Sequence, residues 1–316
     1  VGLLNERRLA YRFVADEQAQ AGALDGLTDA LFILPNVDAL PAPVAAAYAA
    51  AIGRGCFALA DAAAGSRDGH GKRLATSPLD AAFGVSRTRG VLLEPRRFAP
   101  IRWTLHAPAD LRSSSGLMVP AVAGIEADEA RVWARFEDGT PAVIAAPSPA
   151  GSLALMLNTR LPWVSSNKVE KALNPEDRPD ELSPNQTAGL LFDHLQRRAG
   201  LHPHALVESK TIQPTLISRF DDGRARYYGL ALGEAAGRMT VTLLDTAHTY
   251  DARNGRYFGC VNHFEDTATH AQLAKVYAQL PYAVRGVRAQ VVPRRARPGD
   301  TLTLTGQVDT QDGSKA

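Results

Sequence analysis

The sequence predicts an α/β domain with a parallel, doubly wound sheet, followed by an all-β domain that forms an antiparallel sandwich. Apolar strands alternate with helices near the start of the chain, which is the pattern of parallel α/β sheets. After Pro203 the chain contains only short strands separated by turns, as sandwiches do. The length of 316 residues also exceeds the roughly 250–300 residues that one hydrophobic core usually supports. We therefore predict domains at residues 1–203 and 204–316.

The first domain is predicted from short apolar runs and one helix-forming run. Tyr11–Val14 and Ala30–Leu34 are apolar, as strands buried on both faces are. A short helix, Asp16–Gly22, is predicted between them. Val44–Ile52 consists mainly of alanine and other strong helix formers, and Gly55–Ala60 is the next apolar strand. This alternation of strands and helices predicts the parallel part of the sheet.

The later part of the first domain has a different pattern. A loop, Asp61–Leu74, and a short helix, Pro78–Phe83, end the strand–helix alternation. Residues 91–160 then contain short β runs separated by turn signals. The polar stretch Ser165–Pro184 predicts a loop, and Thr187–Ala199 has leucines at helical spacing, which predicts an amphipathic helix. The first domain thus combines a parallel portion with a β-rich portion.

The second domain is predicted to be all-β because turn signals recur between short apolar runs. Asp221-Asp-Gly223 and Asn254-Gly255 lie between such runs, and Asn-Gly between aromatic-rich segments is a strong hairpin signal. About eight strands at this spacing are typical of a sandwich. The predicted strands are Leu216–Phe220, Tyr227–Leu232, Met239–Leu244, His248–Tyr250, Tyr257-Phe258, Leu273–Leu280, Val284–Val292 and Thr301–Val308.

Charge and apolar content exclude several classes of function. Thirty-five basic and 33 acidic residues leave a formal net charge of +2, which is too small to indicate nucleic-acid binding. Six of the basic residues are lysine and 29 are arginine, a bias that fits contact surfaces between protein elements. No apolar run approaches the roughly 18–20 residues of a membrane span. We predict neither nucleic-acid binding nor a membrane span, and the sequence indicates no compartment.

Both ends of the sequence are expected to come from a longer polypeptide. The start lacks the layout of a signal peptide. The predicted strand Thr301–Asp309 runs into a turn, Gln311–Ser314, with no partner strand after it. Only six residues separate Leu4 from Tyr11, whereas a parallel crossover needs about a dozen or more. We therefore expect residues to be missing between these two positions.

The two cysteines, Cys56 and Cys260, are expected to be unpaired, buried thiols, because disulfide-stabilised domains are rich in cysteine. A nucleophilic cysteine at a strand-to-helix turn needs small residues two positions before and after it. Arg54 precedes Cys56 by two positions and Ala58 follows it, and Cys56 opens a predicted strand instead of ending one. We interpret Cys56 as a core thiol and keep a hydrolase that uses Cys56 as an alternative.

Other polar residues form no recognised catalytic or metal-binding pattern. The possible metal ligands lack zinc-site spacing, and no glycine-rich phosphate loop follows a strand. Carboxylates suited to glycoside hydrolysis must face each other across a cleft, but here they lie in charged turns. We predict no catalytic, cofactor-binding or metal-binding residue and no cofactor. The residues considered as metal ligands are Asp193, His194, His202, His204 and Glu208, and the carboxylates in turns are Glu126, Asp128, Glu129, Glu137 and Asp138. The histidines on or beside strands are His248, His263 and His270. The arginines that we expect to form a solvated sheet face or a domain-interface anchor are Arg285, Arg288, Arg294, Arg295 and Arg297.

Much of the chain resembles a known module. The likeness is carried by residues 11–18 (Tyr-Arg-Phe-Val-Ala-Asp-Glu-Gln), Gly22-Ala-Leu24, Leu31–Pro35, Gly53–Asp61, Asp68-Gly-His-Gly71 and Pro78–Val85. These segments are similar to the trimerisation-type domain of family-42 β-galactosidases and related bacterial glycoside hydrolases. That domain has the fold of class I glutamine amidotransferases without their nucleophile. Its later part is matched by Ala134–Ala142, Gly151–Asn158 and Thr187–Gly200, and the sandwich that follows it by residues 205–316, with Leu280-Pro-Tyr-Ala-Val284.

The resemblance implies a non-catalytic role. The family's catalytic (β/α)₈ barrel, which carries both catalytic glutamates, would precede Val1, so no family catalytic residue can be placed on this sequence. The α/β domain would mediate homo-oligomerisation or form one wall of the active site of a barrel. The sandwich would support the α/β domain or bind carbohydrate. A purely structural assembly protein is the alternative. Aromatic residues that could stack on sugars are Trp163, Tyr227, Tyr228, Tyr250 and Tyr257, although we expect most of them to pack within the sheets.

Overall fold

The computed structural model describes residues 4, 7–9, 11–87, 99–118, 120–121, 125–160, 181–182, 184–212, 214, 216–233, 236–270, 274–293, 295, 297, 299 and 301–311. The chain divides into two compact units. We call residues 12–201 the α/β unit, and residues 202–316 together with the first eleven residues the β unit. Within the β unit, the Arg8 Nη1 atom donates a hydrogen bond to the carbonyl oxygen of Val207 at 3.0 Å.

The described part of the α/β unit contains five α-helices, a 3₁₀ turn and ten strands. Among these helices none is long and apolar enough to span a membrane. The helices are α1 Asp16–Gln20, α2 Ala42–Arg54, α3 Asp80–Phe83, α4 Ala109–Arg112 and α5 Pro184–Arg198, with the 3₁₀ turn at Glu129–Arg131. The strands are β1 Leu31–Leu34, β2 Phe57–Asp61, β3 Val85–Ser86, β4 Ala99–Trp103, β5 Ser115–Met118, β6 Glu126–Ala127, β7 Val132–Phe136, β8 Pro141–Pro147, β9 Leu153–Leu157 and β10 Glu181–Leu182.

Eight of these strands form one mixed sheet in the order β1-β2-β9-β8-β7-β4-β5-β10. Strands β1, β2 and β9 are parallel, as are β5 and β10, whereas the strands between β9 and β5 pair antiparallel. Tight turns at Gly139 (φ 85°) and Gly151 (φ 87°) need the left-handed backbone that glycine adopts readily. Because such turns join antiparallel strands only, parallel pairing is confined to the two ends of the sheet. The predicted α/β class is confirmed.

The predicted strand at Tyr11–Val14 is wrong. Residues 11–15 form no strand, and the Phe13 side chain is 78% exposed. The Arg12 guanidinium donates a hydrogen bond to the carbonyl oxygen of Ala23 at 3.4 Å. An apolar run forms a buried strand only where it can pair with the edge of a neighbouring strand. The hydrophobic periodicity of the run does not show whether such a neighbour exists.

Helix α2 covers one face of the parallel strands. Its buried residues Val44, Tyr48 and Ile52 belong to the same core cluster as Ala58 of β2. The rings of Tyr48 and Phe32 meet edge to face with their centroids 5.3 Å apart, a preferred aromatic geometry. The helix predicted at residues 44–52 is therefore confirmed, with two further residues at each end.

Helix α5 packs against β5 through a close approach at Gly116. A Cβ atom at Gly116 would clash with the Thr187 side chain, so a larger residue at this position would require that side chain to move. Leu191, Phe192 and Leu195 of α5 are fully buried. The predicted amphipathic helix is confirmed, and it begins at Pro184.

The described part of the β unit contains eight strands, and the predicted all-β class is confirmed. Six form an antiparallel sheet in the order β11-β14-β16-β13-β12, with β15 paired to β14, and β17 and β18 form a separate pair. The hairpin turns predicted at Asp221–Gly223 and Asn254-Gly255 connect β12 to β13 and β14 to β15. The strands are β11 Ala205–Glu208, β12 Leu216–Asp221, β13 Arg226–Ala231, β14 Gly237–Asp251, β15 Tyr257–Ala268, β16 Ala274–Leu280, β17 Val284–Val292 and β18 Thr303–Thr310.

Two predicted strands, Met239–Leu244 and His248–Tyr250, are in fact one. They both belong to β14, whose register against β15 shifts between Thr242 and Ala247. The polar residues near Asp245 interrupt the apolar pattern in the sequence, although the backbone continues as a strand. A β-bulge or similar irregularity therefore lies where the sequence predicts a break.

Candidate functional site

Ligands of open α/β sheets usually bind beyond the carboxyl ends of the parallel strands. In the α/β unit, Asp61 occupies this position at the end of β2 and is fully buried. One of its carboxylate oxygens accepts a hydrogen bond from the backbone N–H of Asn36 at 2.6 Å, and the other accepts from that of Ala63 at 3.1 Å. Asp61 therefore holds the loops that follow β1 and β2.

A buried ion pair holds the same loop to helix α3. The Arg87 Nε atom donates to Asp80 Oδ1 at 2.7 Å, and both residues are less than 10% exposed. Arg87 Nη1 also donates to the carbonyl oxygens of Ala62 and Ala64 at 2.8 and 3.0 Å. Arg87 thus pairs with the Asp80 charge and donates hydrogen bonds to two backbone carbonyl groups of the loop after β2, which stabilises that loop.

Cys56 lies at the opposite end of β2, directly before the strand begins. It is fully buried, and its thiol donates to the carbonyl oxygen of Leu27 at 3.2 Å. Burial is the main cause that raises the pKa of this thiol, which disfavours the reactive thiolate. Cys56 is unpaired and buried as predicted, whereas Cys260 is exposed, so the prediction that both thiols are buried is wrong for Cys260.

The residues considered as metal ligands are dispersed. His194 lies 3.3 Å from Asp110 and meets the Trp133 ring edge to face, whereas His204 belongs to the β unit and contacts Arg219. Within the described residues, no group of three His, Cys, Asp or Glu side chains is placed to hold a metal ion.

The acidic residues considered for glycoside hydrolysis lie exposed in turns and short elements, as the sequence predicts. Glu129 forms an ion pair with Arg135, and Asp128 lies 3.7 Å from Arg131. Asp138 accepts a hydrogen bond from the backbone N–H of Thr140 at 2.8 Å. None of these contacts places two carboxylates across a cleft.

The histidines and arginines of the β unit make contacts between neighbouring strands or lie exposed. His248 hydrogen-bonds to the Tyr257 hydroxyl at 2.7 Å, and His263 to the Thr242 hydroxyl at 2.9 Å. Arg288 forms a bidentate pair with Asp309 across β17 and β18. Of the other arginines considered, Arg285, Arg295 and Arg297 are exposed, and Arg294 lies outside the described residues.

The aromatic residues considered for sugar stacking mostly pack within the β unit. Tyr250 stacks on Tyr257 with centroids 4.8 Å apart, and its hydroxyl accepts a hydrogen bond from the backbone N–H of Val284. Tyr228 is fully buried, and Tyr227 is half-buried. Trp163 lies outside the described residues.

Two clusters that the sequence did not predict lie in the six-stranded sheet of the β unit. Their members on β12, β13 and β16 are alternate residues, which share one face because side chains alternate along a strand. The other members lie on β14 and β15, apart from His204, which directly precedes β11. We call Asp251, Asp266, Lys275 and Tyr277 the Lys275 cluster. We call His204, Arg219, Asp221, Arg226, Tyr228, Asp245 and Gln279 the Tyr228 cluster.

The Lys275 cluster is a buried network of charges. The Lys275 ammonium lies 2.8 Å from Asp266 Oδ2 and 3.2 Å from Asp251 Oδ2, and all three side chains are at most 4% exposed. The Tyr277 hydroxyl donates to Asp266 at 2.8 Å. Burial, and then the Asp266 charge, raise the pKa of Tyr277, so this hydroxyl keeps its proton. The network is fully hydrogen-bonded, which fits a structural role.

Asp251 also organises the hairpin between β14 and β15. Burial opposes ionisation of Asp251, but hydrogen bonds from the backbone N–H groups of Arg253 and Asn254, together with Lys275, hold the pKa of this carboxyl below its usual value. The Asn254 side chain donates to Asp251 Oδ2 at 2.9 Å. The Asn-Gly turn is thus held by the same carboxylate that pairs with Lys275.

The Tyr228 cluster is less completely satisfied. Arg226 donates to Asp221 at 3.3 Å and forms an ion pair with Asp245, and Arg219 donates to Asp221 at 3.1 Å. Burial raises the pKa of Tyr228, whose hydroxyl has no hydrogen-bond partner among the described residues. Polar groups buried in this way need a partner, because an unpaired one costs about 1–3 kcal/mol.

His204 completes the cluster as a neutral ring. Its Nδ1 atom lies 3.2 Å from Arg219 Nη1. Burial, and then the neighbouring Arg219 charge, lower the pKa of His204 below its usual value near 6.5. The imidazole is therefore uncharged near neutral pH and accepts a hydrogen bond from the guanidinium.

Several solved structures match this chain. No protein-family model and no curated protein matches it. A β-galactosidase from Bacillus circulans sp. alkalophilus has a TM-score of 0.60 at 14% identity over 88% of this chain and 36% of its own. A catalytic mutant of a GH42 β-galactosidase from G. stearothermophilus has a TM-score of 0.59 at 16% identity over 88% and 35%. This chain shares its fold with part of these glycosidases.

The likeness extends to a glycosidase of another specificity. The α-L-fucosidase isoenzyme 2 from Paenibacillus thiaminolyticus has a TM-score of 0.50 at 14% identity and matches 88% of this chain and 44% of its own. The chain spans about a third of the length of the two β-galactosidases it matches. Identities this low show the fold alone, and a fold does not assign an activity.

Proposed function

We propose that this chain is a non-catalytic, self-associating portion of a bacterial glycoside-hydrolase-like protein. The observation that carries the proposal is the match of 88% of the chain to about a third of solved β-galactosidase chains. The resemblance of the first 203 residues to a trimerisation-type, amidotransferase-like domain supports a role of the α/β domain in assembly. On this proposal the two domains meet at residues 203–204, and the catalytic barrel belongs to another part of the protein.

Exposed apolar side chains support self-association. In the β unit, one face of the β17–β18 pair carries Val287 and Leu304, which are 66% and 70% exposed. In the α/β unit, Leu105 is 85% exposed. Val291, the cross-strand partner of Leu304, is also exposed, and exposed apolar residues that lie together often mark a contact with another protein surface.

The alternative of a hydrolase that uses Cys56 is opposed by the chemistry of this thiol. A nucleophilic cysteine is a thiolate in a partly exposed, electropositive place, whereas Cys56 is fully buried with a raised pKa. It also lies at the amino end of β2, away from the edge where α/β sheets usually bind ligands.

An activity assay tests the non-catalytic proposal. We expect the purified chain to release no nitrophenol from nitrophenyl β-galactoside or α-L-fucoside, and no ammonia from glutamine. Cys56→Ser and the matched surface variant Cys260→Ser serve as controls. Turnover that rises in proportion to the protein added would contradict the proposal, and its selective loss in Cys56→Ser would establish the alternative.

A further inference from the structure

Four aromatic side chains and one alanine form a single row across five strands of the β unit. Phe220 on β12 pairs with Tyr227 on β13, and Tyr227 pairs with Ala278 on β16. Ala278 also pairs with Tyr250 on β14, which in turn pairs with Tyr257 on β15. Directly paired residues of neighbouring strands point to the same face of a sheet. We call these five residues the aromatic row.

The aromatic row lies on the face of the sheet that points away from the core of the β unit. Tyr228 on β13 and Tyr277 on β16 belong to that core, and side chains alternate along a strand, so the row faces the other way. Phe220 and Tyr257, at the two ends of the row, are 66% and 43% exposed. The two tyrosines between them are half-buried. A ligand in solution can therefore reach the rings.

Contacts within the sheet hold the rings at one end of the aromatic row in place. The Tyr250 and Tyr257 rings stack with their centroids 4.8 Å apart. The Tyr250 hydroxyl accepts a hydrogen bond from the backbone N–H of Val284, and the Tyr257 hydroxyl is hydrogen-bonded to His248 at 2.7 Å. Side chains that are already fixed lose little freedom when a ligand binds, which favours affinity.

The size and charge of the aromatic row limit the kind of partner that fits it. None of its side chains is charged, so it offers no electrostatic attraction to an ionic ligand. A stable protein interface takes about 20–30 residues on each side, whereas the row has five. Neighbouring strands lie about 4.7–4.9 Å apart, so the row is about 19 Å long and one side chain wide. These dimensions favour a short, uncharged, linear ligand over a globular partner.

We propose that the aromatic row binds a neutral oligosaccharide that lies across the strands. Sugar rings carry C–H groups on their faces, which pack on aromatic rings, and they carry hydroxyl groups that stay in contact with water or with tyrosine hydroxyls. The short side chain of Ala278 separates the pair Phe220–Tyr227 from the pair Tyr250–Tyr257, so two sugar units of one chain can each contact an aromatic pair. The choice of a sugar among uncharged ligands rests on the proposed function as part of a glycoside-hydrolase-like protein.

Isothermal titration calorimetry on the full chain, with galactotetraose as the probe, tests this proposal. We expect saturable binding that weakens about fivefold or more in Phe220→Ala and in Tyr257→Ala, because each removes one stacking ring. Phe220→Tyr keeps the ring and should bind like the parent. Methyl β-galactoside should bind about tenfold or more weakly than galactotetraose, since it contacts only one aromatic pair at a time.

Leu216→Ala is the matched control for Phe220→Ala. Leu216 is 41% exposed and lies on the same strand and the same face as Phe220, but outside the aromatic row. We expect this variant to bind galactotetraose like the parent. Circular dichroism checks that each variant is folded.

Three results would overturn the proposal. One is the absence of saturable binding of galactotetraose by the parent chain. Another is unchanged affinity in folded Phe220→Ala and Tyr257→Ala. The third is dissociation of an oligomer in Phe220→Ala without sugar binding by the parent, which would make the row a contact between copies of this chain. A chain that is inactive and oligomeric but binds no sugar would refute this proposal alone, so it and the proposed function can fail separately.

Discussion

Replacing Lys275 by methionine is expected to destabilise the β unit by about 3–5 kcal/mol. The substitution leaves the carboxylates of Asp251 and Asp266 buried without their shared cation, which lies 3.2 and 2.8 Å from them. The energetic cost comes mainly from these uncompensated charges, since methionine fills most of the volume of the lysine stem. Hydrogen exchange of peptides from β14 to β16, followed by mass spectrometry, measures the change within the affected sheet.

The matched control for Lys275→Met is Arg288→Met, which breaks an ion pair on an exposed surface. Arg288 pairs with Asp309 across β17 and β18, where water solvates the remaining charge. We expect no measurable change in the exchange of β14–β16 peptides in this variant. Equal exchange rates in Lys275→Met and the parent chain would show that Lys275 is not the cation that neutralises the two buried carboxylates.

The second large effect is expected for Phe83→Ala in the α/β unit, at about 3–5 kcal/mol. Phe83 ends helix α3, is fully buried and belongs to the core cluster that contains Leu79 and Val85. Truncation removes its apolar contacts and leaves a cavity that neighbours anchored in strands and helices fill only in part. Urea unfolding followed by tryptophan fluorescence reports this unit, because every tryptophan lies within residues 12–201.

The control for Phe83→Ala is Phe13→Ala in the same unit. Phe13 is 78% exposed, so its removal creates no cavity and should leave the urea midpoint near that of the parent. Equal urea midpoints for the two variants would show that Phe83 does not occupy a buried position in the core.

Local sequence signals predicted the turns and the strong helices well. Asn254-Gly255 and Asp221–Gly223 form hairpin turns because backbone conformation there depends on residues within the turn itself. The alanine-rich run in α2 is likewise helical through its own propensity and its apolar face. These elements need little information from the rest of the chain.

Elements that depend on distant partners were predicted less well. Tyr11–Val14 is apolar but forms no strand, because strand formation needs a neighbouring edge that the run itself cannot specify. Strand β14 continues through polar residues near Asp245, since its pairing with β15 and β16 supports both of its ends. Strand pairing depends on residues that are distant in the sequence, so the periodicity of one segment does not predict its pairing partners.

The two polar clusters escaped prediction for a related reason. On β16, Lys275, Tyr277 and Gln279 alternate with the less polar Val276 and Ala278. In an antiparallel strand such alternation usually predicts that the polar residues face solvent, yet Lys275, Tyr277 and Gln279 are buried. Alternation identifies two faces, but only the partner strands decide which face lies inside. A lysine, a tyrosine and a glutamine at successive alternate positions were the available signal.

Sedimentation equilibrium of the full chain in the micromolar range tests whether the chain self-associates. We expect a defined oligomer whose mass is two or more times 33.8 kDa. Exposed apolar side chains such as Leu304 and Leu105 would then be candidates for the buried contacts. A single species of 33.8 kDa at every concentration would contradict the claim that this chain is the self-associating portion of a larger protein.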